Sequence, residues 1–308
     1  HYDDLAEMSA RIAAAAAETG LGLTHLPVLY ERGGCDGRAL TAGQLRFGND
    51  PERFAKLWDG AANALKSLPA DNVLGVAPHS LRAASAEGIR AAAALNPQTP
   101  IHIHVAEQMA EVTEVQAATG ARPVEWLIGN TDLSPRWCLI HATQMVPHET
   151  EAMAKSGAIA GLCPITEANL GDGIFDGVRF QAHGGVYGVG SDSNVRISLS
   201  EELRLLEYSQ RLGLKARAVM ADQRSTGRLL WEEAAKGGAQ AAGRGAGEYE
   251  FSIVAGHPDS SILLYRMASA APGIAMPELG RATAHDEGIA LLSEWIESLP
   301  AREGDRCA

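Results

Sequence analysis

A chain of 308 residues, 46% of them hydrophobic, is long enough to bury a large core in one or two domains. Its 38 acidic and 26 basic residues leave a net charge of -12, which repels nucleic acid and anionic lipid, and no dense Lys/Arg cluster offsets it. No apolar run reaches the ~20 residues of a membrane helix, and the start at His1-Tyr2-Asp3-Asp4 has neither the basic nor the apolar part of a signal peptide.

Leu5, Met8 and Ile12 recur at helical spacing and predict a helix ahead of the first strand. A strand follows over residues 23–30, a helix over 51–65, a strand over 73–79 and a helix over 84–95. Strand 101–105, helix 109–118, strand 137–142, helix 148–156 and strands 158–163 and 186–190 continue the alternation. Helix 199–212 opens on Ser198-Leu199-Ser200-Glu201, the spacing of a capping box. Beyond about residue 246 the chain reads as irregular, apart from a helix over 288–297. Cys35, Cys138, Cys163 and Cys307 lie far apart without CxxC spacing, which predicts reduced thiols in a cytoplasmic protein.

Strand and helix in alternation predict a parallel sheet with right-handed crossovers. Six strands do not close a barrel of eight. The pattern fits either an open doubly wound sheet or a barrel short of its first strands, and no GxGxxG loop supports a dinucleotide-binding version of the first.

In both architectures the chemistry belongs at the carboxyl ends of the strands, and polar residues gather there. His102 and His104 lie two apart in one strand and so face one side, with Glu107 just beyond its end. A neutral imidazole that binds zinc beside a carboxylate that carries protons suits a hydrolytic metal site; the bland alternative is two buried histidines and a solvated Glu. The strand over 137–142 also ends in a histidine, His141, and the last strand runs into Asp192. Three such endings in succession are harder to dismiss than one. His79 and Arg82, past the strand over 73–79, form a pair suited to a carboxylate, against the plain reading of Arg82 as a surface ion-pair partner. Residues 163–173 read as a polar, glycine-bearing loop suited to closing over a substrate, which a tight turn explains equally well. Cys138 and Cys163 read as core residues, and His25, His148, His183 and His257 receive no role.

The order His104-x-x-Glu107, His141, Asp192 on successive strands resembles the amidohydrolase superfamily, in particular its deaminase branch. The strings HVAEQ (104–108), APHSLRA (77–83), ARPVEWL (121–127), LCPITEANLGDGIF (162–175), GSDS (190–193) and EELRLLEYSQRL (201–212) narrow the resemblance to N-formimino-L-glutamate deiminases, over residues 5–243. The resemblance implies a TIM-type (β/α)8 barrel of which strands three to eight are present. It implies a barrel over 1–243, then a segment over 244–308 holding a remnant of a small β domain and a terminal helix. It further implies one zinc ion, with His104 and Asp192 as two ligands and the other two on a His-x-His strand that this chain lacks. Asp192 would take the proton of the metal-bound water, His141 would orient the nucleophile, Glu107 would carry protons to the departing nitrogen, and His79, Arg82 and Tyr2 would hold substrate carboxylate. Gln144 and Asn194 stand where histidines are common in the family, outside the presumed ligands. The implied reaction is hydrolytic deamination of N-formimino-L-glutamate, and the resemblance allows a homodimer. The rivals are a related deaminase acting on another amidine or aminated ring, and a metal-poor relative that binds carboxylated ligands without turnover.

Overall fold

A computed structural model describes residues 4–69, 72–194, 196–243, 255–269 and 286–299. Its strands are β1 (Thr24–His25), β2 (Val28–Leu29), β3 (Val73–Leu74), β4 (Ala77–Pro78), β5 (Ile101–Val105), β6 (Trp137–His141), β7 (Ile159–Leu162) and β8 (Val186–Val189). Every pairing is parallel: β1 with β3, β2 with β4, then β5, β6, β7 and β8 in that order. Single bridges from Val76 to Ile101 and from Ser80 to His104 join β3 and β4 to β5. Strand neighbours therefore follow chain order without reversal. A doubly wound sheet reverses its order at a switch point, and a barrel does not; of the two expected architectures, this is barrel-like.

The strands expected over 23–30 and 73–79 are each split in two. Pro27 has no amide proton to donate, so the first interrupts there. The crossing bonds persist nonetheless, with the amides of Val73, Gly75 and Ala77 donating to the carbonyls of Leu23, His25 and Pro27.

The helices are α1 (Glu7–Thr19), α2 (Pro51–Leu65), α3 (Ala86–Ala94), α4 (Met109–Thr119), α5 (Pro123–Asn130), α6 (Pro147–Ser156), α7 (Pro164–Leu170), α8 (Gly177–Ala182), α9 (Leu199–Leu214), α10 (Thr226–Ala241), α11 (Ile262–Ala268) and α12 (Asp286–Ser298). Caps explain several boundaries. Asp50 accepts from the Arg53 amide with Pro51 at the first turn, and Ser85 accepts from the Gly88 amide. The capping box expected at Ser198 does not form. Its hydroxyl pairs with that of Ser200, and Glu201 is drawn off to Arg196 at 2.6 Å. α5, α8, α10 and α11 were not expected, and residues 163–173, read as a loop, contain α7. Among the described residues no helix is long and apolar enough to cross a membrane.

Alternate strand residues face opposite sides. Ile101, Ile103, Val105, Leu139, Ala160 and Leu162 pack outward under the helices with Phe54, Ile89, Val115, Leu127 and Met153, all buried. The register puts His102 beside Cys138 and His104 beside Ile140 on the inner face, continued by Ile159, Gly161, Val186 and Gly188. At the amino ends of the strands that inner face is closed by α10. Cys138 and Ile159 pack on Ala241, His102 Nε2 lies 2.7 Å from the Ala241 carbonyl, and the Thr24 hydroxyl donates to that of Ala242. Gly237 allows the close approach: a Cβ there would overlap the Tyr187 carbonyl of β8. Polar chemistry is thereby confined to the opposite, carboxyl-terminal rim.

Candidate active site

At the rim, β4 runs into His79, whose carbonyl has two lone pairs. It accepts from the His104 amide at 3.1 Å and from His104 Nδ1 at 2.9 Å. The His104 ring is thus clamped with Nδ1 as donor, and its Nε2 lone pair stays available. Burial is the main force lowering its pKa, so the ring is kept neutral. The His79 ring lies beside it, tilted by 39° with centroids 5.0 Å apart, and bonds Ser80 Oγ through Nδ1. Burial first, then the fields of His104 and Arg82, bring the pKa of His79 down to about 4.

His141, at the end of β6, stacks on the other side of His104 with centroids 5.7 Å apart. It is buried and stands between two carboxylates. Glu107 Oε1 is 3.7 Å from its Nε2, and Glu167 Oε1 is 3.2 Å from its Nδ1. Burial opposes a charged ring, but the hydrogen bond to Glu167 and the fields of Glu107, Glu167 and Asp192 outweigh it, and the pKa of His141 is raised. Glu107 is held by its main chain: its amide donates to Glu111 Oε2, and its carbonyl accepts from the Thr143 hydroxyl at 2.6 Å. Asp192 follows β8 in an exposed turn, its Oδ1 accepting from the Ser193 amide, and its field reaches both the His104 and His141 rings.

The backbone carries strain at these strand ends. Ala106, His141, Ala142 and Asp192 all have positive φ without being glycine, at 48°, 70°, 50° and 52°. Such residues cost about 1–3 kcal/mol each and gather where function over-determines the geometry.

Arg82 lies between rim and core. Its buried Nε has no hydrogen-bond partner among the described residues, and its charge acts on His79, Glu111 and Cys35. The expected surface ion pair is therefore not what occupies it. Behind it, Glu111 is almost fully buried, with Oε1 unpartnered among the described residues. Tyr2 lies outside the described residues. His102, although on the same face as His104, is engaged at the floor by the Ala241 carbonyl. Gln144 and Asn194 bond Asp172 and Thr166 respectively, around the site and not in it.

Glu167 was not singled out in the sequence. The signal was present: Pro164 at the first helical turn and Gly171 past the last describe a helix over the supposed loop, which turns the fourth residue back over the strand end. Among the described residues no group of three or more His, Cys, Asp and Glu side chains forms a metal-binding cluster.

Residues 6–246 match the model of the amidohydrolase family. The chain is 44% identical over 298 residues to the formimidoylglutamate deiminase of Pseudomonas aeruginosa, covering 96% of this chain and 62% of the relative. A crystal structure of an amidohydrolase from Brucella melitensis superposes with a TM-score of 0.77 at 55% identity, over 79% of this chain and 54% of that one. An adenosine deaminase from Xanthomonas campestris, solved with bound zinc, superposes with a TM-score of 0.63 at 20% identity, over 76% of this chain and 51% of that one, a likeness of fold. The chain thus spans less than two thirds of the length of these relatives.

Proposed function

This chain is a member of the amidohydrolase family, a family of TIM-barrel fold, and we propose that its site hydrolyses the C=N group of N-formimino-L-glutamate, giving N-formyl-L-glutamate and ammonia. The observation that carries this reading is His141 set between Glu107 and Glu167, beside His104 with its open Nε2 and near an Arg82 whose Nε is unpartnered among the described residues. The similarity to a formimidoylglutamate deiminase supports the same choice of substrate.

The donor chemistry fits one zinc ion. His104 Nδ1 is taken by a carbonyl, which leaves Nε2 in the unprotonated form that a ligand needs, and the Asp192 carboxylate lies within the same field. Two ligands are fewer than the three usual in catalytic zinc sites, so the rest of the set comes from elsewhere, on a His-x-His strand. The six strand positions then correspond to strands three to eight of the barrel. When bound, zinc lowers the pKa of a coordinated water towards neutrality. Asp192 accepts the proton of the attacking water. His141 Nε2 accepts a hydrogen bond from the water's other hydrogen, which orients the water and persists in the tetrahedral intermediate, and Glu107 delivers a proton to the departing nitrogen. His79, Arg82 and Tyr2 hold substrate carboxylate, Arg82 through charge-assisted bonds. The setting is a cytoplasmic enzyme of a small, dicarboxylated substrate.

Turnover tests the proposal. Ammonia release should be much faster from N-formimino-L-glutamate than from an uncharged formamidine or an adenosine-type aminated ring, and a chelator should abolish it. Preference for the aminated ring, or equal rates on both amidines, would replace this reading with that of another deaminase.

A further inference from the structure

Glu167 lies in the first turn of α7, four residues after Cys163, and is 95% buried by exposure of 5%. A carboxylate withdrawn this far from water is tolerated only where hydrogen bonds hold it. One oxygen, Oε1, makes both of its bonds: it accepts from the Cys163 amide at 2.8 Å and meets His141 Nδ1 at 3.2 Å. The first bond ties the side chain to the end of β7. The second therefore comes from a fixed direction.

An ionised carboxylate can only accept, so in this contact the proton belongs on Nδ1 of His141. A neutral imidazole has one proton. With Nδ1 as donor, Nε2 is left as a lone pair, and Nε2 is the atom that faces Glu107 Oε1 at 3.7 Å. The ring has little freedom to turn over, because it is buried and stacked on His104. We propose that Glu167 is a positioning residue that locks His141 in the Nδ1–H tautomer and so presents Nε2 to the reacting water and to Glu107. The catalytic consequence rests on the deiminase reading; the tautomer does not. The arrangement also explains why a second buried acid sits behind the ring: it fixes which nitrogen can exchange a proton, while Glu107 in front does the exchanging. Without Glu167 the ring relaxes to the Nε2–H form that predominates in free histidine, and Nε2 can no longer accept from water.

The tautomer can be read directly by long-range 1H–15N NMR of the imidazole nitrogens. The metal-free chain serves, at alkaline pH where the ring is neutral, with His141 assigned by its loss in His141→Asn. In the wild-type chain His141 should show a protonated Nδ1 and an unprotonated Nε2. Glu167→Gln should keep that pattern, because its amide oxygen still accepts, whereas Glu167→Leu should shift the ring to Nε2–H. In the active enzyme, kcat should fall about tenfold for Gln, which keeps the accepting oxygen, and about 100-fold or more for Leu, the latter within the ~10²–10⁴ that an orienting partner of a catalytic histidine is worth. KM should stay within about threefold, since Glu167 holds no part of the substrate. A His141 ring protonated on Nε2 in the wild-type chain overturns the proposal, whether or not the variants fold; so does a ring unmoved by Glu167→Leu. An Nδ1–H ring in a protein that does not turn over formiminoglutamate would support the lock and discard the deiminase reading alone.

Discussion

His102 and His104 stand two residues apart on one strand, point to the same inner face, and live in different worlds. At the floor, His102 is tied to the Ala241 carbonyl of α10, among Cys138, Ile159 and Ala241. At the rim, His104 gives Nδ1 to the His79 carbonyl and keeps its Nε2 lone pair, with His141 stacked on the ring and the fields of Glu107 and Asp192 acting on it. Both rings are neutralised by burial. What separates them is the partner. The floor uses its histidine to satisfy a helix end, while the rim leaves a lone pair, a guanidinium nitrogen and left-handed residues without local compensation. Barrels divide labour in this way, with stability at the amino ends of the strands and chemistry at the carboxyl ends.

The largest expected effect is at the rim. Glu107→Gln removes the proton carrier while keeping its shape, and kcat on formiminoglutamate should fall by about 10²–10⁴-fold, the usual worth of general acid–base catalysis. The melting temperature should barely move, because the main-chain bonds to Glu111 and Thr143 that hold residue 107 remain. A loss under tenfold in a steady-state ammonia assay would remove Glu107 from the chemistry.

Next comes Arg82. Removing one partner of a buried charge pair costs about 2–5 kcal/mol, so Arg82→Met should lower kcat/KM for formiminoglutamate by roughly 30-fold or more. Metal content should stay the same, and the loss should shrink for an uncharged formamidine. Equal losses on both substrates would assign Arg82 to the support of Glu111, whose buried carboxylate feels its charge.

Why some of this was legible in the sequence and some was not follows from the same division. Apolar strands that run into a polar residue are a local pattern, so His104, Glu107, His141 and Asp192 could be read from spacing, as could α2 with its Asp50-Pro51 start. α10 could not. Its Gly237 and Gly238 weaken any helical reading, and Gly237 is there because the helix must press against β8, a tertiary fact. For Glu167 the helix that carries it is legible from Pro164 and Gly171, but its partner is not, because no local spacing announces Nδ1 of a histidine 26 residues away. The lost capping box at Ser198 likewise turns on a pairing outside the segment itself, with Arg196 outcompeting the helix end for Glu201.

The floor should answer in stability and not in turnover. Gly237→Ala places a methyl group into the Tyr187 carbonyl, backbone against backbone, so helix and strand must separate. Overpacking of this kind costs typically 1–3 kcal/mol, and with no flexible side chain to yield, about 3 kcal/mol is expected, a drop of about 6–12 °C in Tm. The kcat per folded molecule should stay within about twofold of wild type, because the rim is built on the far ends of the strands. A large fall in kcat at unchanged Tm would show that α10 communicates with the site.

The smallest effect separates strain that is merely present from strain that is used. Lys215 ends α9 in the left-handed conformation at φ 54°, exposed to solvent; Ala142 has a similar φ of 50° but is fully buried beside His141. Glycine relieves a left-handed backbone by about 1 kcal/mol, and at a helix end it is the residue that fits. Lys215→Gly should therefore raise stability by about 0.5–1 kcal/mol with no change in activity. At Ala142 the same relief is offset by the loss of a buried methyl, about 0.8 kcal/mol, and by glycine's greater freedom in the unfolded chain. Ala142→Gly should thus change stability little or lower it slightly. It should still reduce kcat severalfold, since residues 141 and 142 share the turn that aims the His141 ring between Glu107 and Glu167. Denaturant titration of the two variants beside their steady-state rates makes the contrast. If Ala142→Gly is as stabilising as Lys215→Gly and as active as wild type, the left-handed turn at the end of β6 is incidental to the site.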